Sequence, residues 1–327
     1  MKKRVLITGG TGFVGSHTVE EYLKAGWNVR ALVRNPARLG WLAGLEIEVS
    51  PGTLTDTASL AKAVKGCDLI VHCAGLTKAL TAREYDRINA EATRDLTRLA
   101  VQNGVRRLVL CSSQAAAGPS FPGKPSREED DPRPVSIYGR SKLAGERELQ
   151  QSASGMEWIV LRPPAIIGPR DEQFVPLFRG VVRNGLYPRF GTAKRMYSFA
   201  SVHDVARALL VAGEAENGTN AVYFVANDAA LDWAEAAAMI ARFAGRTVRP
   251  LPLPEALVRV IGSLADVYAA LRRKPALLGS DKFREILAPG WICSAEKIRA
   301  AWGFECTWSC EQTLRETYES YRKSGWL

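Results

Sequence analysis

The feature of the sequence that most constrains its fold is the turn Gly9-x-x-Gly12-x-x-Gly15, which stands between a predicted strand and a predicted helix. Residues 4–8 read RVLIT, a β-branched run, and a helical pattern follows through residues 17–26. Glycines at this spacing permit a tight turn and let backbone N–H groups approach a pyrophosphate at the N-terminus of the helix. The turn therefore predicts a dinucleotide site at the start of an α/β sheet.

Apolar runs alternate with helical patterns as far as residue 164. Strands are predicted at 4–8, 28–34, 46–50, 68–75, 106–113 and 157–164, and helices at 17–26, 57–66, 82–104 and 136–151. This alternation is typical of a doubly wound parallel sheet with helices on both faces, the Rossmann class of α/β fold. We predict a Rossmann domain from residues 1–164 with a returning segment at about 196–226. Residues 165–195 and 227–327 are predicted to form a smaller C-terminal α/β substrate lobe.

The end of the second predicted strand indicates which dinucleotide binds. An acidic residue about 20 positions after the glycines would bind the ribose hydroxyls of NAD. Here Arg34 lies 19 residues after Gly15, and no Asp or Glu follows until Glu46. Because a guanidinium matches a phosphate bidentately, we predict NADP(H), with NAD(H) as the alternative.

Composition limits the other partners. The net charge is +10, but the basic residues are scattered without interleaved aromatics. We therefore predict a phosphate-bearing ligand and do not predict nucleic-acid binding. No apolar run approaches the roughly 20 residues of a membrane-spanning helix, and the N-terminus lacks a signal-peptide core. The six cysteines show no paired C-x-x-C spacing and the three histidines no ligand pattern. We therefore expect a cytoplasmic protein with reduced thiols and no metal.

The segment SIYGRSK places Tyr138 four residues before Lys142 at the start of a predicted helix. Residues four apart share a helix face, so the phenol and the ammonium can meet. A solvated surface pair is one interpretation. The other is a phenol whose pKa a neighbouring cation lowers from about 10, making it a proton donor and acceptor.

With TGGTGFVG at the start and YGRSK in the middle, the chain resembles the extended short-chain dehydrogenase/reductase family. The resemblance runs nearly end to end, through DLIVHCAG, YDRINAEATRDL, LVLCSS, LRPPAIIGP and SFASVHDVARAL. It implies a seven-stranded Rossmann domain, a small C-terminal substrate lobe and a homodimer formed through two long helices.

The resemblance also implies the roles of individual residues. Tyr138 is the expected acid/base, Lys142 its pKa-lowering and ribose-binding partner, and Ser113 the hydroxyl that positions the substrate oxygen. The candidate cofactor-binding residues are Gly9, Thr11, Gly12, Phe13, Val14, Gly15, Arg34, Thr53, Leu54, Cys73, Ala74, Gly75, Asn89, Tyr138, Lys142, Pro163 and Ile166. The candidate substrate-binding residues are Thr77, Gln114, Ala115 and Tyr197. Thr53 departs from the family, which often has Asp there to contact the adenine amino group.

The class of substrate has to be inferred from the residues of the second lobe, because proteins of the same fold catalyse several different reactions. The C-terminal third resembles 3β-hydroxysteroid dehydrogenase-like and dihydroflavonol reductase-like enzymes, and the usual nucleotide-sugar signature is missing after IIGPRDEQF. We therefore expect an oxidoreductase acting on a small or apolar ketone or alcohol. A nucleotide-sugar epimerase or dehydratase, with Arg195 reaching a diphosphate, is one alternative, and a non-catalytic NADP(H) sensor or scaffold is another.

A last pattern lies at residues 254–274. Leu257, Val260, Ile261, Leu264, Val267 or Tyr268, and Leu271 recur at helical spacing, followed by Arg272, Arg273 and Lys274. We expect a helix whose apolar residues pack on the small lobe and wall an apolar substrate site. A helix that lies on a membrane surface is the alternative interpretation.

Overall fold

The structure, a computed structural model, describes residues 3–121, 123–276 and 278–327. In chain order its strands are β1 (Arg4–Thr8), β2 (Asn28–Val33), β3 (Glu48–Pro51), β4 (Leu69–His72), β5 (Arg107–Cys111), β6 (Glu157–Arg162), β7 (Ala165–Ile167), β8 (Leu186–Phe190), β9 (Tyr197–Ser201), β10 (Ala221–Phe224), β11 (Ala230–Leu231) and β12 (Arg249–Leu253).

The helices follow the strands closely along the chain. They are α1 (Phe13–Lys24), α2 (Thr57–Val64), α3 (Ala82–Asp86), α4 (Ala92–Gln102), α5 (Gln114–Ala117), α6 (Ile137–Ser152), α7 (Val175–Arg179), α8 (Val202–Glu214), α9 (Trp233–Phe243), α10 (Glu255–Arg272), α11 (Ser280–Ile286), α12 (Glu296–Trp302) and α13 (Cys310–Lys323). The helix predicted at 82–104 is interrupted by a π-helical turn, Arg87–Glu91, between α3 and α4.

Seven parallel strands form the main sheet in the order β10-β6-β5-β4-β1-β2-β3. The strand order reverses between β1 and β4, which leaves a crevice at the carboxyl ends of these two strands. Parallel strands need crossover connections, and the helices supply them on both faces. The predicted doubly wound Rossmann sheet is confirmed.

Each face of the sheet has its own apolar core. Val5 and Ile7 of β1 point to one core and Leu6 to the other, as the two-residue period of a strand requires. The first core includes residues of α1 and α8, which are joined where the Tyr22 hydroxyl donates to the Leu209 carbonyl (3.0 Å). The second core includes residues of α2, α4 and α6.

A third apolar cluster lies around a second, smaller sheet. Strand β9 pairs in parallel with β7 and antiparallel with β11, and β8 pairs with β12. Side chains from α9 and α13, with Phe178 and Trp291, fill this cluster. The predicted bounds of the two domains stay a prediction.

Helix α10 corrects one expectation. Its buried face consists of Val258, Gly262 and Ala269. A Cβ at Gly262 would lie 2.7 Å from the Phe283 ring and 3.1 Å from the Ser280 backbone, so the absence of a side chain lets α11 approach closely. The predicted apolar residues do not pack on the lobe. They are exposed, because the small residues on the other face make the contact. None of the helices in the described ranges is long and apolar enough to cross a membrane.

Candidate active site

The glycine turn is built by close backbone contacts. Gly9 has φ +74°, and a Cβ there would lie 2.6 Å from the backbone nitrogen of Ala74 at the end of β4. A Cβ at Gly15 would collide with the carbonyl of Gly9, whose oxygen accepts from the Gly12 N–H at 2.9 Å. Only glycine meets both requirements, so the turn keeps the tight course that a pyrophosphate site needs.

Helix α1 begins directly after this turn. Its N-cap is Gly12, no side chain caps it, and its first turn contains no acidic residue. The first N–H groups of a helix have no intrahelical partner and carry partial positive charge, so those of Phe13 and Val14 suit an anion. Thr11 is exposed beside them. These residues fit the pyrophosphate of a nicotinamide dinucleotide.

Two further candidates for the cofactor lie beyond β2 and β3. Arg34 is exposed just after β2, and its guanidinium forms no hydrogen bond or ion pair with any residue that the structure describes. Thr53 follows β3, and its hydroxyl lies 3.3 Å from that of Thr55. Leu54 packs at the edge of the second core. Both loops lie at the carboxyl edge of the sheet, on the same side as the glycine turn.

Asn89, in the π-helical turn, binds the segment that follows β4. The Asn89 side chain accepts from the Leu76 N–H (2.8 Å) and donates to the Leu76 carbonyl (3.0 Å) and the Ser141 hydroxyl (2.9 Å). It therefore ties the 73–76 segment to α6. Asn89 is buried and its amide is fully engaged by the protein, so its side chain orders the segment around the candidate site.

Ser113 and Tyr138 meet at the carboxyl edge of the sheet. Ser113 caps α5 immediately after β5, where its hydroxyl accepts from the Ala115 N–H (3.1 Å). Tyr138 lies in the first turn of α6, whose N-cap Ser136 accepts from the Gly139 N–H (2.8 Å). The Ser113 hydroxyl lies close enough to the Tyr138 phenol to lower the pKa of that phenol. The predicted hydroxyl pair is therefore assembled from two separate segments of the chain.

Lys142 lies one helical turn further along α6 and is buried. Its ammonium donates to the Cys111 carbonyl at 2.8 Å, and a Cβ at Gly75 would lie 3.7 Å from its Nζ. Burial lowers the pKa of Lys142, while Cys111, Glu146 and Cys73 oppose that shift. The ammonium thus lies between the ends of β4 and β5, with N–H groups left for a ribose.

The pKa of Tyr138 differs from the predicted direction. Burial raises the pKa of this phenol above its ordinary value, and only the Ser113 hydrogen bond among the leading causes lowers it. Glu285, Cys111 and Tyr85 raise it further. Lys142 is not among these causes, and its ammonium donates to the Cys111 carbonyl. Positive charge added next to the phenol, such as that of an oxidised nicotinamide, would act in the lowering direction.

Sequence reasoning missed the group that positions Tyr138. Asp281, in α11, accepts from the N–H groups of Ile137 (2.7 Å) and Tyr138 (3.3 Å). Glu285 of the same helix accepts from the Ser136 hydroxyl at 2.6 Å. The sequence signal was slight, because an acid on a distant short helix carries no local mark of this contact.

The other candidates lie in different surroundings. Gln114 and Ala115 are buried in α5 next to Ser113, and Pro163 accepts from the Gln114 N–H (2.8 Å). Thr77 is exposed and accepts from the Tyr85 hydroxyl through its carbonyl (3.2 Å). Cys73 and Ile166 are half-buried at the edge of the first core. Tyr197 lies in the third cluster, where its hydroxyl donates to the Ile286 carbonyl at 3.3 Å.

Arg195 is buried, and its guanidinium is engaged within the protein. It donates to the carbonyls of Ala288 (3.1 Å) and Phe190 (2.6 Å) and pairs with Glu255 at 2.6 Å. A guanidinium with these partners has few N–H groups left for a diphosphate. The residue that kept the nucleotide-sugar alternative open is thus a structural link to α10.

Residues 5–226 match the NAD dependent epimerase/dehydratase family. The chain belongs to this family. It is 31% identical over 325 residues to a ceramide reductase of Caulobacter vibrioides, a match that covers 99% of this chain and 96% of the relative. It is 28% identical over 276 residues to a UDP-glucose 4-epimerase of Vibrio cholerae, covering 81% and 83%.

A solved structure, MoeE5 in complex with UDP-glucose and NAD, superposes with a TM-score of 0.79 at 26% identity. The match covers 98% of this chain and 99% of that one. Its fold agrees with the Rossmann sheet described above. Membership of this family, together with these relatives, supports an NAD(P)-dependent enzyme that acts on a small molecule, and it confirms the resemblance drawn from the motifs.

Proposed function

We propose that the protein is an NADP(H)-dependent oxidoreductase that interconverts a ketone and a secondary alcohol on a small or apolar substrate of sterol-, flavonoid- or lipid-like character. The observation that carries the proposal is the proximity of Ser113 and Tyr138 at the sheet edge, with the Lys142 ammonium buried on the carbonyl of Cys111, two residues before Ser113. Hydroxyl, phenol and ammonium from two segments converge where open α/β sheets bind ligands.

The roles of the three side chains follow from their chemistry. The bound nicotinamide supplies or accepts the hydride. In the reducing direction, the Ser113 hydroxyl holds the carbonyl oxygen and the Tyr138 phenol donates the proton that this oxygen gains. In the oxidising direction, the phenolate takes that proton back. The Lys142 ammonium, which donates to the Cys111 carbonyl, has N–H groups left for the ribose.

Arg34 supports NADP(H) as the cofactor. Its exposed guanidinium, free of protein partners in the described ranges, follows β2 at the position where a 2′-phosphate would be recognised. NAD(H) remains the alternative, since Thr53 and the glycine turn serve both dinucleotides equally.

Two observations support an apolar substrate. Arg195 is engaged by three carbonyls and Glu255, so it has few N–H groups left to bind a diphosphate. The ceramide reductase, which the chain matches along almost its whole length, is named for a lipid substrate. Gln114 suits the polar end of such a molecule, because its buried Nε2 finds no partner among the described residues and lies next to Ser113.

A nucleotide-sugar epimerase or dehydratase is the second candidate. It is favoured by the likeness to MoeE5 bound to UDP-glucose and by the epimerase of Vibrio cholerae. The two candidate functions differ in how much NADPH is consumed for each molecule of product. The first consumes NADPH in proportion to product, whereas an epimerase regenerates its cofactor and shows no net NADPH loss. A sensor or scaffold would bind NADPH and turn over neither substrate.

The test measures NADPH oxidation with a panel of ketones that includes long-chain 3-ketolipids, sterols and flavonoids. The same measurement is made in parallel with UDP-sugars. We expect turnover of an apolar ketone, and a loss of about 10²–10⁴-fold in kcat for Tyr138→Phe because the proton donor is removed. Tyr85→Phe is the matched control, since the two rings lie 6.2 Å apart and only Tyr138 meets Ser113. Undiminished turnover in Tyr138→Phe would contradict the mechanism.

A further inference from the structure

Helix α10 exposes an apolar stripe that the proposed reaction does not use. The stripe comprises seven side chains that recur every helical turn, with exposed fractions from 40% for Ile261 to 79% for Leu271: Leu257, Val260, Ile261, Leu264, Val267, Tyr268 and Leu271. At 1.5 Å per residue the stripe is about 21 Å long. Contiguous exposed apolar surface of this kind marks an interaction site rather than ordinary surface.

Cationic side chains surround the stripe. The segment 246–274 contains six cations and two anions, and all six cations are exposed: Arg246, Arg249, Arg259, Arg272, Arg273 and Lys274. None of the six forms an ion pair with a residue in the described part of the chain. Arg272 stacks over the ring of Tyr268, a member of the stripe, at 5.0 Å.

The two anions of this segment are each bonded to a group of the protein. Glu255 pairs with Arg195 at 2.6 Å, and Asp266 accepts from the Ser280 N–H at 3.1 Å. Each carboxylate is thus partly neutralised or hydrogen-bonded locally, although Asp266 itself is exposed. The surface that remains around the stripe is positive.

From this combination we propose that α10 docks the protein on the surface of an anionic lipid bilayer. An amphipathic helix with a basic rim lies in the interface with its apolar face among the acyl chains, and anionic headgroups neutralise the rim. A second copy of this chain fits less well, because a symmetric contact would bring the same cations of both copies together.

Helix α10 is connected to the helix of Tyr138 through α11. It packs on α11 through Gly262, and Asp281 of α11 binds the N-terminus of α6, which carries Tyr138. A docked α10 lies one helix away from the catalytic helix. The docking itself is independent of the proposed reaction, because partition onto vesicles is measured without turnover.

The experiment is flotation of the full chain with vesicles of phosphatidylcholine alone and of phosphatidylcholine mixed with phosphatidylglycerol. We expect binding to the mixed vesicles, weakened by salt and by the double variant Arg272→Glu/Lys274→Glu. Leu264→Glu should weaken it roughly tenfold or more, because a charge enters the apolar face. Trp41→Glu is the matched control, an exposed aromatic residue outside the helix, and should bind as the wild type does.

Three results would overturn the proposal. The first is wild-type protein that stays unbound with both vesicle compositions. The second is binding that Leu264→Glu leaves unchanged while its thermal unfolding matches the wild type. The third is a wild-type dimer, seen by analytical ultracentrifugation, that Leu264→Glu converts to a monomer with no vesicle binding in either form, which would assign the stripe to a second copy of the chain.

Discussion

Asp281 caps the helix that carries Tyr138. Its two carboxylate oxygens accept from the main-chain N–H groups of Ile137 (2.7 Å) and Tyr138 (3.3 Å), across more than 140 residues of sequence. A carboxylate at a helix N-terminus satisfies free donors and interacts favourably with the helix dipole. If Tyr138 is the acid/base as proposed, Asp281 acts as a positioning residue for its phenol, since its contacts go to the backbone of α6.

We expect Asp281→Ala to lower the free energy of unfolding by about 1–2 kcal/mol, the usual effect of losing such a cap. It should also lower kcat more than it raises KM, because the phenol is less well placed. Urea denaturation and steady-state kinetics measure the two effects. Asp281→Asn is the graded comparison, since its single amide oxygen can accept from only one of the two N–H groups, and it should lie between the wild type and Asp281→Ala in both quantities. If Asp281→Ala had the same kcat as the wild type, Asp281 would have a purely structural role.

Arg34 should decide the preference between the two dinucleotides. We expect Arg34→Asp to weaken NADPH binding by about 10–100-fold, since a charge-assisted bidentate contact to the 2′-phosphate is lost. NADH binding should change little. Fluorescence titration of both dinucleotides measures this. Arg98→Asp, the same charge change at an exposed position of α4, should alter neither affinity. An equal loss for NADPH and NADH in Arg34→Asp would remove the assignment.

Arg195 should be needed for stability rather than for substrate binding. Arg195→Met leaves the carbonyls of Phe190 and Ala288 and the Glu255 carboxylate without their donor. We expect the free energy of unfolding to fall by about 2–4 kcal/mol, as for other buried charge-assisted contacts. The KM for an apolar ketone should stay the same. A selective loss of affinity for a UDP-sugar, at unchanged stability, would instead favour the nucleotide-sugar alternative.

Asp171 should make stability depend on pH. Burial raises the pKa of this carboxyl to about 7 from an ordinary 3.8, against the hydrogen bonds from Gln173 and Phe174 that lower it. Its Oδ2 has no partner among the described residues. Because the folded state then binds more protons than the unfolded state between about pH 4 and 7, stability falls as pH rises through that window.

The variant Asp171→Asn cannot ionise, and its Oδ1 can still accept from the Gln173 N–H as the wild-type oxygen does (2.8 Å). The free energy of unfolding of the variant minus that of the wild type should be larger at pH 8 than at pH 5, by on the order of 2 kcal/mol. Chemical denaturation of both proteins at the two pH values measures the gap. A gap that is the same at pH 5 and pH 8 would show that Asp171 does not titrate in this range.

Much of the fold could be predicted because its signals are local. The β-branched run before Gly9 and the helix after Gly15 are β1 and α1, and the alternation that follows yields the parallel sheet. The pairing of Ser113 with Tyr138 could be anticipated from strand and helix ends that meet at one sheet edge. The π-helical turn at Asn89 could not, because nothing in the helical period marks the extra residue.

The sequence by itself determined the parallel sheet, the glycine turn and the helical spacing of Tyr138 and Lys142, since each depends on residues a few positions apart. Only the tertiary structure decided that Asp281 caps the helix of Tyr138, that Arg195 bonds to partners within the protein, and that α10 turns its apolar stripe outward. The physical reason is the same in each case. Such contacts depend on which elements pack together, and hydrophobic periodicity specifies an amphipathic face without specifying what that face meets.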